Sequence, residues 1–337
     1  MIIEQHFSLL QHHTFHIPAT ADYFIEYESV EELKEALSLP IVKRNKFLQI
    51  GGGSNLLFTQ DYHGVILHSA IRSIGVVSET ADEVVVKAGA GIVWDDLVAY
   101  SVEMGWGGLE NLSNIPGEVG ASAVQNIGAY GREAKDTIEQ VECIDVESLC
   151  MRIFDNAQCM YGYRSSIFKK EMKGRFIVTA VFFRLQKKPI LHLEYGNLST
   201  VLSSLKEPSL QDVRNAVIKI RSEKLPDPDF VGNAGSFFMN PIIPVGQYEK
   251  IKADYPDIPS YPAGLGQIKV PAAWLIDRCG WKGKAEGGAA VYEKQCLVLI
   301  NQNHAKAQDV LSLAEKITIS VENRFGITIH PEVNFID

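Results

Sequence analysis

Cysteine is scarce, and the few present make no pattern. Cys143, Cys150, Cys159, Cys279 and Cys296 are odd in number, widely spaced and without a C-x-x-C pair, so neither a disulfide framework nor a zinc site is expected. Free cysteine usually serves as a small core hydrophobe, and reduced, buried thiols are expected here. Basic residues are in the minority: 32 Lys and Arg stand against 41 Asp and Glu, for a net charge of −9. A nucleic-acid binder ordinarily carries the opposite surplus. No run of about 18 uncharged apolar residues occurs, which argues against a membrane-spanning helix. The N-terminal segment MIIEQHFSLLQHHTF lacks a basic start, an apolar stretch and a small-residue cleavage site, so no secretory leader is expected. Internal repeats and low-complexity tracts are missing too. What remains is the expectation of a soluble, acidic, reduced, multi-domain protein with no nucleic-acid or membrane partner and no metal.

What is present is ordinary in bulk. Of 337 residues, 46% are apolar and 22% charged, close to globular averages. Single cores stop growing at roughly 250–300 residues, so two or three domains are expected. Residues 30–37 read as a helix opened by Ser29, with Glu32 placed as in a capping box. Strands are expected at 47–50, 65–67, 83–88, 176–185 and 292–300, and a hairpin turning at Glu147-Ser148 within 139–154. Helices are expected at 93–104, 210–224, 272–279 and 307–325, the last closed by Gly326. Strands and helices mix without strict alternation, which points to α+β rather than a doubly wound sheet. Leu225-Pro226-Asp227-Pro228-Asp229 is the best boundary candidate.

Two glycine clusters carry the first chemical signal. Gly51-Gly52-Gly53-Ser54-Asn55 follows a strand directly, and its N–H groups could line an anion-binding concavity. The pattern is not G-x-G-x-x-G, and no acidic residue follows at the usual distance, so the Rossmann fingerprint fails. A plain tight turn would look the same. The second cluster runs from Gly107-Gly108 through Ile115-Pro116-Gly117-Glu118-Val119-Gly120-Ala121 to Gln125-Asn126-Ile127-Gly128-Ala129-Tyr130-Gly131. Small residues recur so densely that the backbone is expected to pass close to a flat or phosphorylated ligand; the alternative is a glycine-rich surface loop, for which Val119, Val124 and Ile127 are poor choices. Together the clusters point to an extended dinucleotide.

Five collinear segments, IGGGSNLLF, IPGEVGASAVQNIGAYG, YGYRSSIFK, GNAGSFFMNP and PEVNFI, resemble the UDP-N-acetylenolpyruvoylglucosamine reductase family, flavoenzymes of peptidoglycan precursor synthesis. The resemblance extends from about residue 17 to the C-terminus. It implies an α+β protein with an FAD-binding fold of the vanillyl-alcohol-oxidase (PCMH) type in two lobes, 1–70 and 71–222. A C-terminal α+β substrate-binding domain, 223–325, and a tail, 326–337, would follow. It also implies non-covalent FAD, NADPH as co-substrate, a monomer and a bacterial cytoplasmic location. FAD would be held by Gly51, Gly52, Gly53, Ser54 and Asn55, then by Ser113, Ile115, Pro116, Gly117, Gly120, Ala121, Gln125, Asn126, Gly128, Ala129 and Tyr130. Tyr195 resembles the tyrosine-bearing loop of one of the two family types.

The implied reaction saturates an enol ether: reduced flavin delivers hydride to the methylene carbon, and the adjacent carbon takes a proton. Such chemistry needs a fixed cation or donor beside the carboxylate and a proton source near the carbon. By resemblance, Arg164 contacts the carboxylate, Ser236 donates the proton and Glu332 assists at the enolate. Tyr195, Lys224, Asn240, Lys282 and Gln295 match positions that bind the UDP-sugar. A nucleophilic serine is not supported, since G-x-S-x-G and a His/Asp pattern are missing. Asn334 departs from the arginine expected in many relatives. Another oxidase of the same flavin fold would not need Ser236 and Glu332 together with Lys224 and Tyr195, and a non-catalytic UDP-sugar sensor would be expected to have lost the trio Arg164, Ser236 and Glu332.

Overall fold

A computed structural model describes every residue from Met1 to Asp337. Strands and helices mix in α+β fashion, and the chain divides into two compact units. The first comprises 1–7, 21–52 and 63–223; the second comprises 8–20, 53–62 and 224–337. The contiguous division read from the sequence does not convey this interleaving. Its physical origin is burial: Phe15, Ile17 and Leu57 are closed within the core of the second unit, so the stretches that carry them belong there.

In the first unit a four-stranded sheet runs Ile2–Ser8, Thr20–Tyr27, Tyr62–Ser69, Phe47–Ile50, with the last two strands parallel. A five-stranded antiparallel sheet runs Met151–Asp155, Ile138–Asp145, Phe176–Gln186, Glu83–Gly89, Ile74–Glu79. The hairpin expected around Glu147-Ser148 is its first pair. Trp94, Leu97, Val119 and Ala123 of the helices Trp94–Glu103 and Val119–Gln125 join Val86, Val141 and Phe183 of that sheet in one buried cluster. The helix Val30–Ser38 is capped by Ser29, which accepts from the Glu32 N–H at 3.1 Å. The reciprocal half of the capping box is displaced: Glu32 accepts from the Glu28 N–H at 2.8 Å and from the Met1 ammonium at 2.6 Å.

The second unit holds a sheet ordered Asn233–Ser236, Val298–Asn301, Ala289–Val291, Ala285–Glu286. The helix Ala307–Phe325 buries Val310, Leu313, Ile317 and Val321, the spacing of a single helical face. Gly326 ends it at φ +62°, the left-handed closure expected of that glycine. The strand expected over 292–300 is instead the turn and second arm of a hairpin. Its apolar end forms Val298–Asn301, while Glu293-Lys294-Gln295 turns the chain, with the Gln295 N–H donating to Tyr292 O. All five cysteines are free. Burial pushes the Cys159 and Cys296 thiols up to about 11, whereas Cys150, just past the hairpin turn, is exposed against expectation. No helix is long and apolar enough to cross a membrane.

Candidate active site

In the first unit the glycine turn begins where the strand Phe47–Ile50 ends. An added Cβ on Gly52 would lie 3.6 Å from Gly117 Cα, so the two glycine clusters meet there backbone to backbone. The N–H groups of Gly51 and Gly52 donate to no backbone carbonyl. Other glycines serve the chain itself. A Cβ on Gly120 would sit 2.9 Å from that of Ala90, because this first turn of the helix packs on the loop after Glu83–Gly89. Gly53, in the second unit, has φ +62°, and its added Cβ would fall 2.1 Å from His12 O.

Several side chains expected at the cofactor are committed within the protein. Asn126 is fully buried at φ +49°. Its amide donates to Gly162 O at 2.9 Å and Glu133 Oε2 at 3.3 Å, and its oxygen accepts from the Lys135 N–H. Ser113 donates its hydroxyl to Glu110 O at 2.7 Å. Neither side chain has a donor left for a ligand. Ile115, Ala121, Gln125, Gly128, Ala129 and Tyr130 are half-buried, as is Gly117 at φ +121°; Pro116 is exposed. Tyr130 and Gly131, both at positive φ, turn the small hairpin Gly128–Ala129, Arg132–Glu133 in the manner of a primed turn.

Arg164 sits on a tight turn closed by mutual backbone bonds between Gly162 and Ser165. Its φ of +52° is a conformation that favours glycine and costs an L-residue about 1–2 kcal/mol. Asn126 holds one end of the turn, and Ser166 Oγ holds the other by donating to Val124 O at 2.6 Å. The guanidinium donates to Gly128 O at 2.6 Å. A Cβ on Gly128 would meet Arg164 Nη1 at 2.8 Å, so glycine there admits the arginine. Tyr195 is half exposed, and its Cβ lies against Gly131.

In the second unit Ser236 is exposed at the end of Asn233–Ser236, after Gly235 at φ +67°. The next residues pair with the C-terminal segment: the Glu332 N–H donates to Phe237 O at 2.8 Å, and the Met239 N–H to His330 O at 2.9 Å. The serine and glutamate are thereby brought onto neighbouring segments. Asn55 donates to Glu332 O at 3.2 Å, while the Asn334 N–H donates to Asn55 O at 3.0 Å. Asn334 adds a side-chain bond to the same oxygen at 3.2 Å, which is the part played here by the residue in the arginine position. Ser54 is half-buried next to Asn55.

Of the expected sugar contacts, Lys224 and Lys282 are exposed and Gln295 lies in the hairpin turn. Asn240 accepts from the Ala272 N–H at 2.9 Å, fixing the start of the helix Ala272–Arg278. Sequence reasoning passed over three side chains. Asn111 donates to both Tyr130 O and His192 O, tying the hairpin to the Tyr195 loop. Arg221 faces Tyr130: burial raises the phenol's pKa, and the guanidinium opposes that rise. Glu118 stands within IPGEVGASAVQNIGAYG, yet its partner His68 lies 50 positions away along the chain, so nothing local marks it.

Comparison with known proteins follows the same lines. The family model for the C-terminal domain of UDP-N-acetylenolpyruvoylglucosamine reductase matches residues 227–336, and an FAD-binding domain model matches 21–152. The chain is 52% identical over 334 residues to the UDP-N-acetylenolpyruvoylglucosamine reductase of Bacteroides fragilis, covering 99% of this chain and all of the relative. It is 44% identical over 337 residues to that of Porphyromonas gingivalis, covering both chains fully. The crystal structure of the reductase from Thermus caldophilus superposes over the full length of both chains with a TM-score of 0.72 at 22% identity. An α+β fold with an FAD-binding domain is that of this chain.

Proposed function

The chain belongs to the UDP-N-acetylenolpyruvoylglucosamine reductase family, and from that premise we propose how its own residues carry the reaction. It is a flavin oxidoreductase that reduces the enolpyruvyl sugar nucleotide with FAD. The residues fit the cofactor. Gly52 meets Gly117 backbone to backbone with the Glu118 side chain just behind, and the Gly51 and Gly52 N–H groups suit a pyrophosphate. FAD, when bound, supplies the hydride for the methylene carbon, with NADPH as its proposed reductant.

Arg164 grips the substrate carboxylate. Its strained turn, held at both ends, fixes where the guanidinium points, and the planar fork suits a two-pronged grip. Ser236 holds the proton at Oγ for the carbon next to the carboxylate. A hydroxyl is a weak acid, but a carbanion beside a carboxylate is a strong enough base to take its proton. Glu332 supports the charge that develops there. Tyr195, Lys224, Asn240, Lys282 and Gln295 bind the UDP-sugar. The carrying observation is the pairing of Phe237 with Glu332, which supports a shared task for Ser236 and Glu332.

Ser236→Ala tests this in separate half-reactions. Flavin bleaching by NADPH should keep its rate, while reoxidation by the enolpyruvyl sugar should slow by about 10²–10⁴-fold. Reoxidation at the normal rate would remove Ser236 as the proton donor.

A further inference from the structure

Beneath the glycine turn lies a buried ionisable cluster that the reaction does not use. Glu118 immediately precedes the helix Val119–Gln125. A Cβ on Gly51 would meet its Oε2 at 3.0 Å, and one on Gly52 would lie 3.9 Å from its Oε1. Oε1 is 3.1 Å from His68 Nε2, and His68 Nδ1 is 2.8 Å from Glu26 Oε2. The side chains of His68 and Glu118 are 8% and 10% exposed. His68 pairs in register with Ile50, the residue before Gly51, so the ring is fixed directly behind the turn.

A neutral imidazole has one N–H and can donate to only one carboxylate; the imidazolium donates to both. Burial opposes the charge, but Glu118 and Glu26 outweigh it and hold the His68 pKa above its ordinary value. Of the other groups facing this cluster within the unit, Tyr27 donates to Gln49 at 2.9 Å and is kept un-ionised by burial. The Phe24 ring stacks on His68 at 6.0 Å.

We propose that Glu26, His68 and Glu118 form a protonation-dependent support for the diphosphate of FAD, in which charged His68 cancels Glu118 beneath Gly51 and Gly52. This rests on the assignment of those glycines to FAD. All three are positioning residues. With the proton on His68, one negative charge remains in the cluster; without it, two face an anionic ligand. The proton is held below the ordinary value of about 6.5 and lost as pH rises through the raised folded value, so affinity falls toward alkaline pH. Removing one unit charge from beneath an anionic ligand should change its affinity by about tenfold.

The test is the FAD dissociation constant of the full-length apoprotein, read by flavin fluorescence between about pH 6 and 9. Wild type should weaken about tenfold across that range. His68→Gln should be flat and as weak as wild type at the alkaline end. Glu118→Gln should move the midpoint to lower pH and bind more tightly than wild type at the alkaline end, which a merely structural role would not produce. A flat wild-type profile, or His68→Gln following the wild-type profile, overturns the proposal. Should His68→Gln fail to fold, Glu118→Gln decides alone: a wild-type midpoint with wild-type alkaline affinity overturns it. A wild type that takes up no FAD at any pH removes the cofactor assignment itself, and the proposal with it.

Discussion

Two adjacent glycines should respond to alanine in opposite ways. At Gly53 the new Cβ would fall 2.1 Å from His12 O, 2.5 Å from His13 Cα and 2.8 Å from His13 Cβ, at φ +62°. Backbone must move to relieve these contacts. The left-handed conformation costs about 1–2 kcal/mol and overpacking about 1–3 kcal/mol, so Gly53→Ala should lose about 2–5 kcal/mol. At Gly52 the nearest atom is 3.6 Å away and φ is not positive, so Gly52→Ala should stay within about 1 kcal/mol of wild type. Its methyl group would lie between the turn and Gly117 and Glu118, where the two glycine clusters assigned to FAD meet, and FAD affinity should drop at least about tenfold (about 1.4 kcal/mol). Urea unfolding followed by circular dichroism reads the first effect, and flavin fluorescence titration the second. If Gly53→Ala unfolds like wild type while Gly52→Ala keeps full FAD affinity, the division between a packing glycine and a ligand glycine is refuted.

Arg164→Lys should retain FAD but lower kcat/KM for the enolpyruvyl sugar by about 10²-fold, because a lysine cannot supply the two-pronged contact; steady-state kinetics checks this. Phe237, 1% exposed and packed on Phe238 with ring centroids 5.2 Å apart, should cost about 3–5 kcal/mol as Ala in urea unfolding. Arg214 holds Asp95 by two bonds of 2.7 and 2.8 Å. Burial would raise the Asp95 pKa, but Arg214 and the Asn114 N–H bring it below its ordinary value. Arg214→Met should therefore cost about 1–3 kcal/mol at neutral pH. That stability is present above the ordinary carboxylate value of about 3.9 and is lost as pH falls through the depressed folded value, so the penalty should vanish there in acid-unfolding curves.

Legibility followed distance along the chain. The strand Phe47–Ile50 and the helix Leu210–Lys224 carry their own apolar patterns and turn signals, and both fall at the expected bounds. The run over 292–300 misled because apolar content masked a polar turn. Interleaving of the two units escaped notice because Phe15, Ile17 and Leu57 have partners hundreds of residues away, in a core no local pattern records. Within the site, motif positions alone could not separate backbone from side-chain roles. Asn126 and Ser113 stand in the glycine cluster, yet their side chains serve the fold. The His68 cluster was invisible for a similar reason: its carboxylates lie 42 and 50 positions away along the chain.

The central claim is best tested by an anaerobic titration of the purified protein, following the visible flavin band. NADPH is added first, then UDP-N-acetylglucosamine enolpyruvate. Bleaching by the first and recovery with the second is the result predicted for this chain. Bleaching without recovery would contradict the assigned acceptor, and absence of any flavin band after adding FAD would contradict the account at its root.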